Sequence, residues 1–269
     1  MHALARRILA LLLALPVALA TPLALAQAQE QKAIEPKAAF EPHSGQAGKD
    51  VVWVPTPQSL VNKMLDMGRV TKRDFVVDLG SGDGRTVIAA AKRGARAMGV
   101  EFNPDMVELS RRNAEKEGVG DKAKFVQGDF FKTDFSKATV VTMFLLPDLN
   151  VKLRPKLLKM RPGTRVVTNA FTIGDWEADE TQTLTPDQGC DGSWCTAHLW
   201  IVPAKVAGKY SLPQGELELK QKYQKLTGTL TADGRTQVVH GKVRGREVTL
   251  TTGGKTLRGR MKGKQLVLG

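Results

Sequence analysis

The ten residues Val76-Val77-Asp78-Leu79-Gly80-Ser81-Gly82-Asp83-Gly84-Arg85 decide the fold of this chain. They join a short apolar strand, Phe75–Leu79, to a helical segment, Arg85–Arg93, through a loop with three glycines. Glycines at a strand-to-helix turn let the backbone approach a ligand closely, and the helix N-terminus offers it free N–H groups. A dinucleotide-binding loop needs glycine at its first, third and sixth positions, but the sixth position counted from Gly80 is Arg85. The loop therefore predicts a ligand that is not a dinucleotide.

Strands and helices alternate on both sides of this loop, which is the pattern of a parallel sheet with helices on both faces. Two later strand-like runs are close enough in sequence to pair as a hairpin, which would add an antiparallel edge. We therefore predict a Rossmann-like, doubly wound α/β sheet over residues 51–203. Its elements are helices around 60–67, 104–117 and 150–159, strands at 97–101, 124–127, 138–143 and 165–169, and hairpin strands at 181–184 and 196–202.

Three carboxylates stand where predicted strands end, at Asp78, Glu101 and Asp129. The carboxyl ends of parallel strands open onto one crevice, so we expect these side chains to lie close together. A carboxylate at Glu101 can accept hydrogen bonds from both hydroxyls of a ribose. A carboxylate at Asp129 can accept from an adenine amino group, with Phe130 beside the ring.

The glycine loop and these carboxylates together resemble the class I S-adenosylmethionine-dependent methyltransferases, over residues 51–203. The resemblance implies their fold and S-adenosylmethionine as the cofactor. It also implies that Glu101 holds the ribose and that Asp129, with Phe130, holds the adenine. The loop residues that would surround the methionine part are Asp78, Gly80, Ser81, Gly82 and Gly84.

A narrower resemblance is to the lysine methyltransferases related to the mitochondrial enzyme that modifies the c-ring protein of ATP synthase. It rests on Val54-Pro55-Thr56-Pro57 before the first helix, on Val87–Lys92 after the glycine loop, and on Phe144, Pro147 and Asp175-Trp176 after later strands. The resemblance implies a protein-lysine N-methyltransferase, with Pro55 and Thr56 over the methionine end of the cofactor. Its acceptor channel would be lined by Phe144, Pro147 and Trp176.

The segment after the fourth strand, residues 143–148, reads MFLLPD where many amino-methylating enzymes carry Asn/Asp-Pro-Pro-Tyr. This difference argues against methylation of nucleic-acid bases. Asp148 is a candidate to accept a hydrogen bond from the acceptor amine, and the alternative is that it N-caps the following helix. For Phe144 and Trp176, the alternative is plain core packing.

Other residues of the predicted site also have a second interpretation. Glu101 and Asp129 are alternatively solvated strand-end carboxylates, and Asp83 and Arg85 are alternatively an ion pair within the loop. The alternative function is a non-catalytic envelope-binding protein built on a methyltransferase fold. Export of the chain would favour that alternative, because S-adenosylmethionine is made in the cytoplasm.

The N-terminus predicts export. Arg6 and Arg7 precede an apolar run, residues 8–26, that ends in the small-x-small pattern Ala24-Leu25-Ala26. Residues 1–26 therefore read as a cleaved signal peptide and residues 27–50 as a linker. The alternative is an uncleaved membrane anchor; in both cases the arginines stay inside and the rest of the chain is periplasmic or secreted. No later stretch is long and apolar enough to span a bilayer.

The two cysteines, Cys190 and Cys195, stand in the predicted hairpin turn. In an oxidising compartment we expect a disulfide between them, and the alternative is a redox pair. The only other histidine or cysteine near them is His198, so a metal site is not predicted.

The segment 204–269 predicts a separate, basic β-module. Short alternating runs are separated by glycine-rich turns, and residues 239–245 are repeated at 257–263. This segment holds 14 Lys+Arg and 4 Asp+Glu, so it carries +10 of the chain's formal charge of +13. An anionic envelope surface or an acidic protein fits this charge. Nucleic acid is disfavoured, because the only aromatic residues for stacking are Tyr210 and Tyr223, and the remaining alternative is a solvated surface.

Overall fold

The computed structural model describes residues 40–269, which belong to one compact unit. The predicted signal peptide and residues 27–39 of the predicted linker lie outside the described residues. Residues 40–50 belong to the folded unit and not to a linker, because Ala47 forms a β-bridge with Val52 and the Trp53 N–H donates to the Gln46 carbonyl at 2.9 Å. Within the described residues, no helix combines the length and apolar character that a membrane span requires.

A mixed α/β layer forms the first part of the unit. Its elements in chain order are α1 (Gln58–Met67), β1 (Phe75–Leu79), α2 (Arg85–Lys92), β2 (Arg96–Glu101), α3 (Pro104–Lys116), β3 (Ala123–Gln127), β4 (Val140–Met143), α4 (Pro147–Leu157), β5 (Arg165–Asn169), β6 (Glu180–Thr183) and β7 (Thr196–Ile201).

The seven strands of this first sheet have the order β3-β2-β1-β4-β5-β7-β6. The strands β1 to β5 are parallel, whereas β7 runs antiparallel to both β5 and β6. The predicted doubly wound sheet with an antiparallel edge hairpin is confirmed. The strand order reverses between β1 and β4, which is where ligands bind in open sheets of this kind.

The central strands are buried on both faces, which explains their uninterrupted apolar sequences. On β1, Val76 packs into a cluster with apolar residues of α1, α2 and α3. The next residue, Val77, faces the opposite cluster, which contains Leu153 and Leu157 of α4. This two-sided burial fixes β1 and β4, and therefore the loops that follow them.

The chain then forms a second sheet, which confirms the predicted all-β module. Seven antiparallel strands follow each other in sequence order. One face of this sheet is apolar and buried. The cluster that it forms contains only residues from 204 onward, so the second sheet has a core of its own. The strands are β8 (Gly208–Leu212), β9 (Gly215–Lys222), β10 (Lys225–Ala232), β11 (Arg235–Arg244), β12 (Glu247–Thr252), β13 (Lys255–Lys262) and β14 (Gln265–Leu268).

The sequence repeat corresponds to two similar hairpins, β11–β12 and β13–β14. Gly241 and Gly259 occupy equivalent positions in them. A Cβ at Gly241 would lie 2.7 Å from the Leu250 side chain and would collide with the carbonyl of Thr249. A Cβ at Gly259 would meet Leu268 and the Val267 carbonyl in the same way. Each repeat therefore carries a glycine that makes room for its own leucine.

A row of acids on the β5–β6 connection meets a row of lysines on the second sheet. Asp175 and Asp179 accept ion pairs from Lys222 and Lys242, both at 3.0 Å, and Lys225 pairs with Glu177 between them. The three lysines are cross-strand neighbours on β9, β10 and β11. Part of the charge of the module is therefore compensated by the first layer.

Trp176 lies beneath these ion pairs. Its ring is fully buried, with the Trp200 ring centroid at 6.2 Å and the Tyr223 centroid at 6.1 Å. The Trp200 indole N–H donates to the Trp176 carbonyl at 2.7 Å, and the Tyr223 hydroxyl donates to Asp175 at 2.9 Å. Trp176 is thus a core residue where the first sheet meets the second.

The Trp176→Ala substitution should lower the free energy of unfolding by about 3–5 kcal/mol, because it empties a fully buried indole site. The matched control is Trp194→Ala, at a ring that is 39% exposed, which should cost about 1 kcal/mol or less. Urea unfolding followed by circular dichroism measures both. Equal losses would contradict the assignment of Trp176 to the core.

Candidate active site

A cavity of about 550 Å³ lies where the strand order reverses, at the carboxyl ends of β1 to β4. Residues 46–56 form one wall of it, and the glycine loop forms another. Of the residues that the sequence analysis proposed, the structure brings the following to the cavity: Pro55, Thr56, Asp78, Gly80, Ser81, Gly82, Glu101, Asp129, Phe130 and Phe144.

The glycine loop follows β1 in a left-handed conformation. Gly80 and Gly82 have φ values of 76° and 54°, which favour glycine. A Cβ at Gly82 would also collide with the indole of Trp53, which covers the loop. Gly84 does not line the cavity; a Cβ there would lie 2.8 Å from the Phe125 ring, so this glycine allows α2 to pack against β3. The cofactor contact expected of Gly84 stays a prediction.

Glu101 ends β2 and holds two neighbouring segments in place. Its Oε2 accepts a hydrogen bond from the Gly82 N–H at 3.0 Å, and its Oε1 accepts one from the Asn103 N–H at 2.9 Å. A carboxylate has about four lone-pair sites, so both oxygens retain the capacity to accept from a ligand. This arrangement suits a pair of vicinal hydroxyls.

Asp129 ends β3 at the other side of the cavity. Its Oδ1 accepts from the Phe131 N–H at 2.8 Å, and its Oδ2 pairs with Lys49 at 2.7 Å. The hydrogen bond from Lys49 is the main reason why the pKa of Asp129 is below its usual range. The Lys49 ammonium also lies 5.0 Å from the centre of the Phe102 ring, so this end combines an acceptor with an exposed aromatic face.

Asp78 is buried at the base of the cavity. Its pKa is raised to about 7, mainly by burial and also by the nearby carboxylates of Glu101 and Asp83, against the opposing hydrogen bond from Thr142. The buried Ser81 hydroxyl has no hydrogen-bond partner among the described residues. The Asp78 carboxyl and the unsatisfied Ser81 hydroxyl fit the polar amino-acid end of S-adenosylmethionine, whose ammonium group the charged form of Asp78 can attract.

The structure contains the ion pair between Asp83 and Arg85 that was the alternative interpretation of these residues. The Arg85 guanidinium pairs with the Asp83 carboxylate at 2.6 Å and donates to the Thr56 carbonyl at 2.8 Å. Thr56 in turn accepts from Asn169 at the end of β5. The loop ion pair therefore fixes the wall that contains Pro55 and Thr56.

Aromatic residues close the opposite end of the cavity. Phe144 follows β4, Phe171 follows β5, and Trp194 precedes β7; all three line the cavity. The structure contains the Cys190–Cys195 disulfide beside them, with a Cα–Cα distance of 5.8 Å.

Three of the expected acceptor residues lie elsewhere. Trp176 packs between the sheets, where a large ring is fully buried, and does not reach the cavity. Pro147 and Asp148 are exposed on the first turn of α4, outside the lining. Asp148 is not the N-cap either, since Leu146 holds that position; it lies in the first turn, where an acidic residue suits the helix dipole.

Several lining residues were missed by the sequence analysis. Lys49 and Trp53 come from the segment read as linker and domain entry, Phe102 follows Glu101, and Phe171 and Trp194 border later strands. Phe171 had a signal, because it lies two residues after the end of a predicted strand at Asn169. Trp194 stands between the two cysteines, so its placement depends on a bridge that the sequence alone left open.

Comparison with known proteins relates this site to enzymes. A family model described as the ANTKMT methyltransferase domain matches residues 78–180. A protein-lysine N-methyltransferase of Saccharolobus islandicus is 48% identical over 133 residues, which are 48% of this chain and 83% of that protein. The human lysine N-methyltransferase of the ATP synthase c-ring protein is 37% identical over 143 residues. That match covers 53% of this chain and 59% of the human protein, so it spans little more than half of the relative.

A solved structure also matches part of this chain. The crystal structure of an RNA methyltransferase from Salinibacter ruber in complex with S-adenosyl-L-homocysteine is 44% identical in sequence, with a TM-score of 0.52. The match covers 57% of this chain and 96% of that chain.

The affinity for S-adenosylmethionine should rise with pH by up to about tenfold per unit below 7, because Asp78 is protonated there and the cofactor is cationic. Above that pH the carboxylate is charged and the rise should level off. In Asp78→Asn the affinity should be lower at neutral pH and almost independent of pH. Calorimetric titration of both proteins checks this, and the same slope in both would contradict the role of Asp78.

Proposed function

Since the chain belongs to the family of S-adenosylmethionine-dependent protein-lysine N-methyltransferases, we propose that it transfers a methyl group from S-adenosylmethionine to a lysine ε-amino group of a protein. One observation carries this proposal. A single cavity has carboxylate acceptors for a nucleoside at one end and three aromatic rings at the other. Such a cavity suits a nucleoside-bearing donor and a long, apolar side chain that ends in an amine.

The residues present would hold the cofactor in one orientation. Glu101 would accept from the ribose hydroxyls, and Asp129 would accept from the adenine amino group between Phe102 and Phe130. The loop around Ser81 and the Asp78 carboxylate would bind the amino-acid end. When bound, the cofactor supplies a methyl group on a positively charged sulfur.

The protein's contribution to the transfer is positioning and desolvation. The acceptor nitrogen must be neutral, because its lone pair forms the new bond to carbon. Phe144, Phe171 and Trp194 surround the amine with apolar surface and reduce its contact with water, which lowers the pKa of a lysine by desolvation. The proton that leaves the product ammonium goes to water, so the reaction does not require a dedicated base. Holding both groups in line supplies most of the remaining acceleration.

Tritium from methyl-labelled S-adenosylmethionine should enter protein, and not RNA, when the chain is incubated with separated protein and RNA extracts. Acid hydrolysis of the labelled protein should release methylated lysine. Glu101→Gln should reduce labelling at limiting cofactor about tenfold, because it weakens the ribose contacts.

The matched control is Glu108→Gln, at an exposed carboxylate of α3, which should label as the native chain does. Label in RNA alone would assign the chain to RNA methylation, and label in neither extract together with normal cofactor binding would contradict the protein-lysine proposal.

We also propose that the chain acts in the cell envelope, where the second sheet binds an anionic surface. Support for the location is the signal-like sequence of residues 1–26. Binding to an anionic surface is supported by exposed basic residues of the module other than the three lysines that pair with the first layer. They are Arg235, Arg244, Arg246, Arg258, Lys262 and Lys264.

Cell fractionation of a bacterial host that expresses the full chain tests both proposals. The processed chain should sediment with membranes at low salt and be released at high salt, since screening weakens exposed charges. Arg244→Glu with Arg258→Glu should release it at low salt, whereas Arg112→Glu on α3 should not. A cytoplasmic chain would refute export, and a soluble periplasmic chain at low salt would refute surface binding.

A further inference from the structure

The three rings at the end of the cavity face each other closely enough to act as one site. The Trp194 centroid lies 5.3 Å from that of Phe171 and 5.9 Å from that of Phe144, and the two phenylalanine centroids are 6.1 Å apart. Trp194 is nevertheless 39% exposed, so the rings do not close into a solvent-free core. An indole that is held in place and still reaches solvent at a cavity mouth is available to a ligand.

The loop that carries Trp194 is fixed on both sides. Cys190 and Cys195 are 2% and 5% exposed, and their disulfide packs into the apolar cluster formed with α1 and β7. The Gly189 carbonyl accepts a hydrogen bond from the Ser59 hydroxyl at 2.7 Å, and the Leu184 N–H donates to the Cys195 carbonyl at 2.9 Å. These contacts pin both ends of the loop and leave the indole at the cavity mouth.

We propose that Trp194, preorganised by the Cys190–Cys195 disulfide, positions the acceptor amine by completing an aromatic site with Phe144 and Phe171. This inference rests on the proposed lysine methyl transfer and names the residue that recognises the acceptor. Ordering a free loop on binding costs conformational entropy, and the disulfide reduces that cost because it restricts the loop beforehand. The rings bind the alkyl stem by contact and the nitrogen through their π-faces.

The chemistry of the transfer explains why π-faces suit this position. The nitrogen lone pair forms the N–C bond, the C–S electron pair stays on sulfur, and the nitrogen becomes positively charged before it loses a proton to water. Aromatic faces stabilise that developing cation more than they stabilise the neutral amine. The same faces should bind a methylated ammonium group more tightly than a neutral group of equal size.

The probe for this inference is Nε-trimethyl-lysine, blocked as the N-acetyl amide, and titrated with S-adenosylhomocysteine present. The ¹⁵N-labelled chain has four tryptophans, and the Trp194 indole signal is assigned by its absence in Trp194→Phe. That signal should shift with the trimethylammonium probe and shift much less with the neutral tert-butyl isostere. Equal responses to both, or no response to either, would overturn the proposal.

Variants of the disulfide loop distinguish a positioning role of Trp194 from a role in folding. Trp194→Ala should weaken probe binding about tenfold, the size of a cation–π contact, whereas Trp194→Phe should retain most of it. Cys190→Ser with Cys195→Ser, or a phosphine reductant, should reproduce the Trp194→Ala loss. The same double cysteine change made in Trp194→Ala should add little, because the disulfide acts through the indole.

Affinity for S-adenosylhomocysteine, measured by calorimetry, distinguishes the two ways of failing. If every variant binds it normally and the probe still fails to discriminate, the acceptor assignment is wrong while the proposed methyl transfer stands. If the native chain does not bind S-adenosylhomocysteine, the proposed function itself fails. A loss in the double cysteine variant that adds fully to the Trp194→Ala loss would show that the disulfide acts independently of Trp194.

Discussion

The hydrogen bond from the Gly82 N–H to the Glu101 carboxylate ties the loop after β1 to the end of β2. It acts together with the hydrogen bonds from the Gly80 and Ser81 N–H groups to the Val100 carbonyl, and these contacts hold the left-handed glycine loop at the strand ends. The other oxygen of Glu101 binds the Asn103 N–H, and Asn103 caps α3. One carboxylate therefore sets the loop, the start of a helix and part of the electrostatics that keep Asp78 partly protonated.

The family resemblance placed Trp176 in the acceptor channel, but in the structure it is Trp194 that lines the cavity. Trp176 stands at the expected position, but it is buried between the first layer and the second sheet. Trp194, from the disulfide loop, is the tryptophan that borders the cavity. The lysines of the second sheet meet the two acids on either side of Trp176, Asp175 and Glu177.

The sequence predicted the fold well where structure is local. Runs of apolar residues that end near a glycine predicted the strands. The ends of these strands predicted that Asp78, Glu101 and Asp129 lie at one crevice. It failed where a contact joins distant segments: Lys49 reaches Asp129 across 80 positions, and no periodicity marks such a pair. Asp148 shows a second limit, because its place in a motif did not reveal that its side chain lies outside the cavity.

The hairpin repeat of the second sheet has a consequence for the entropy of folding. Every strand there pairs with its neighbour in sequence, so each pairing closes only a short loop. In the first sheet, β1 must find β4 across about 64 residues, and the Asp78–Thr142 hydrogen bond spans the same interval. Each long-range pairing in the layer that carries the cavity therefore loses more loop-closure entropy than a hairpin of the basic module does.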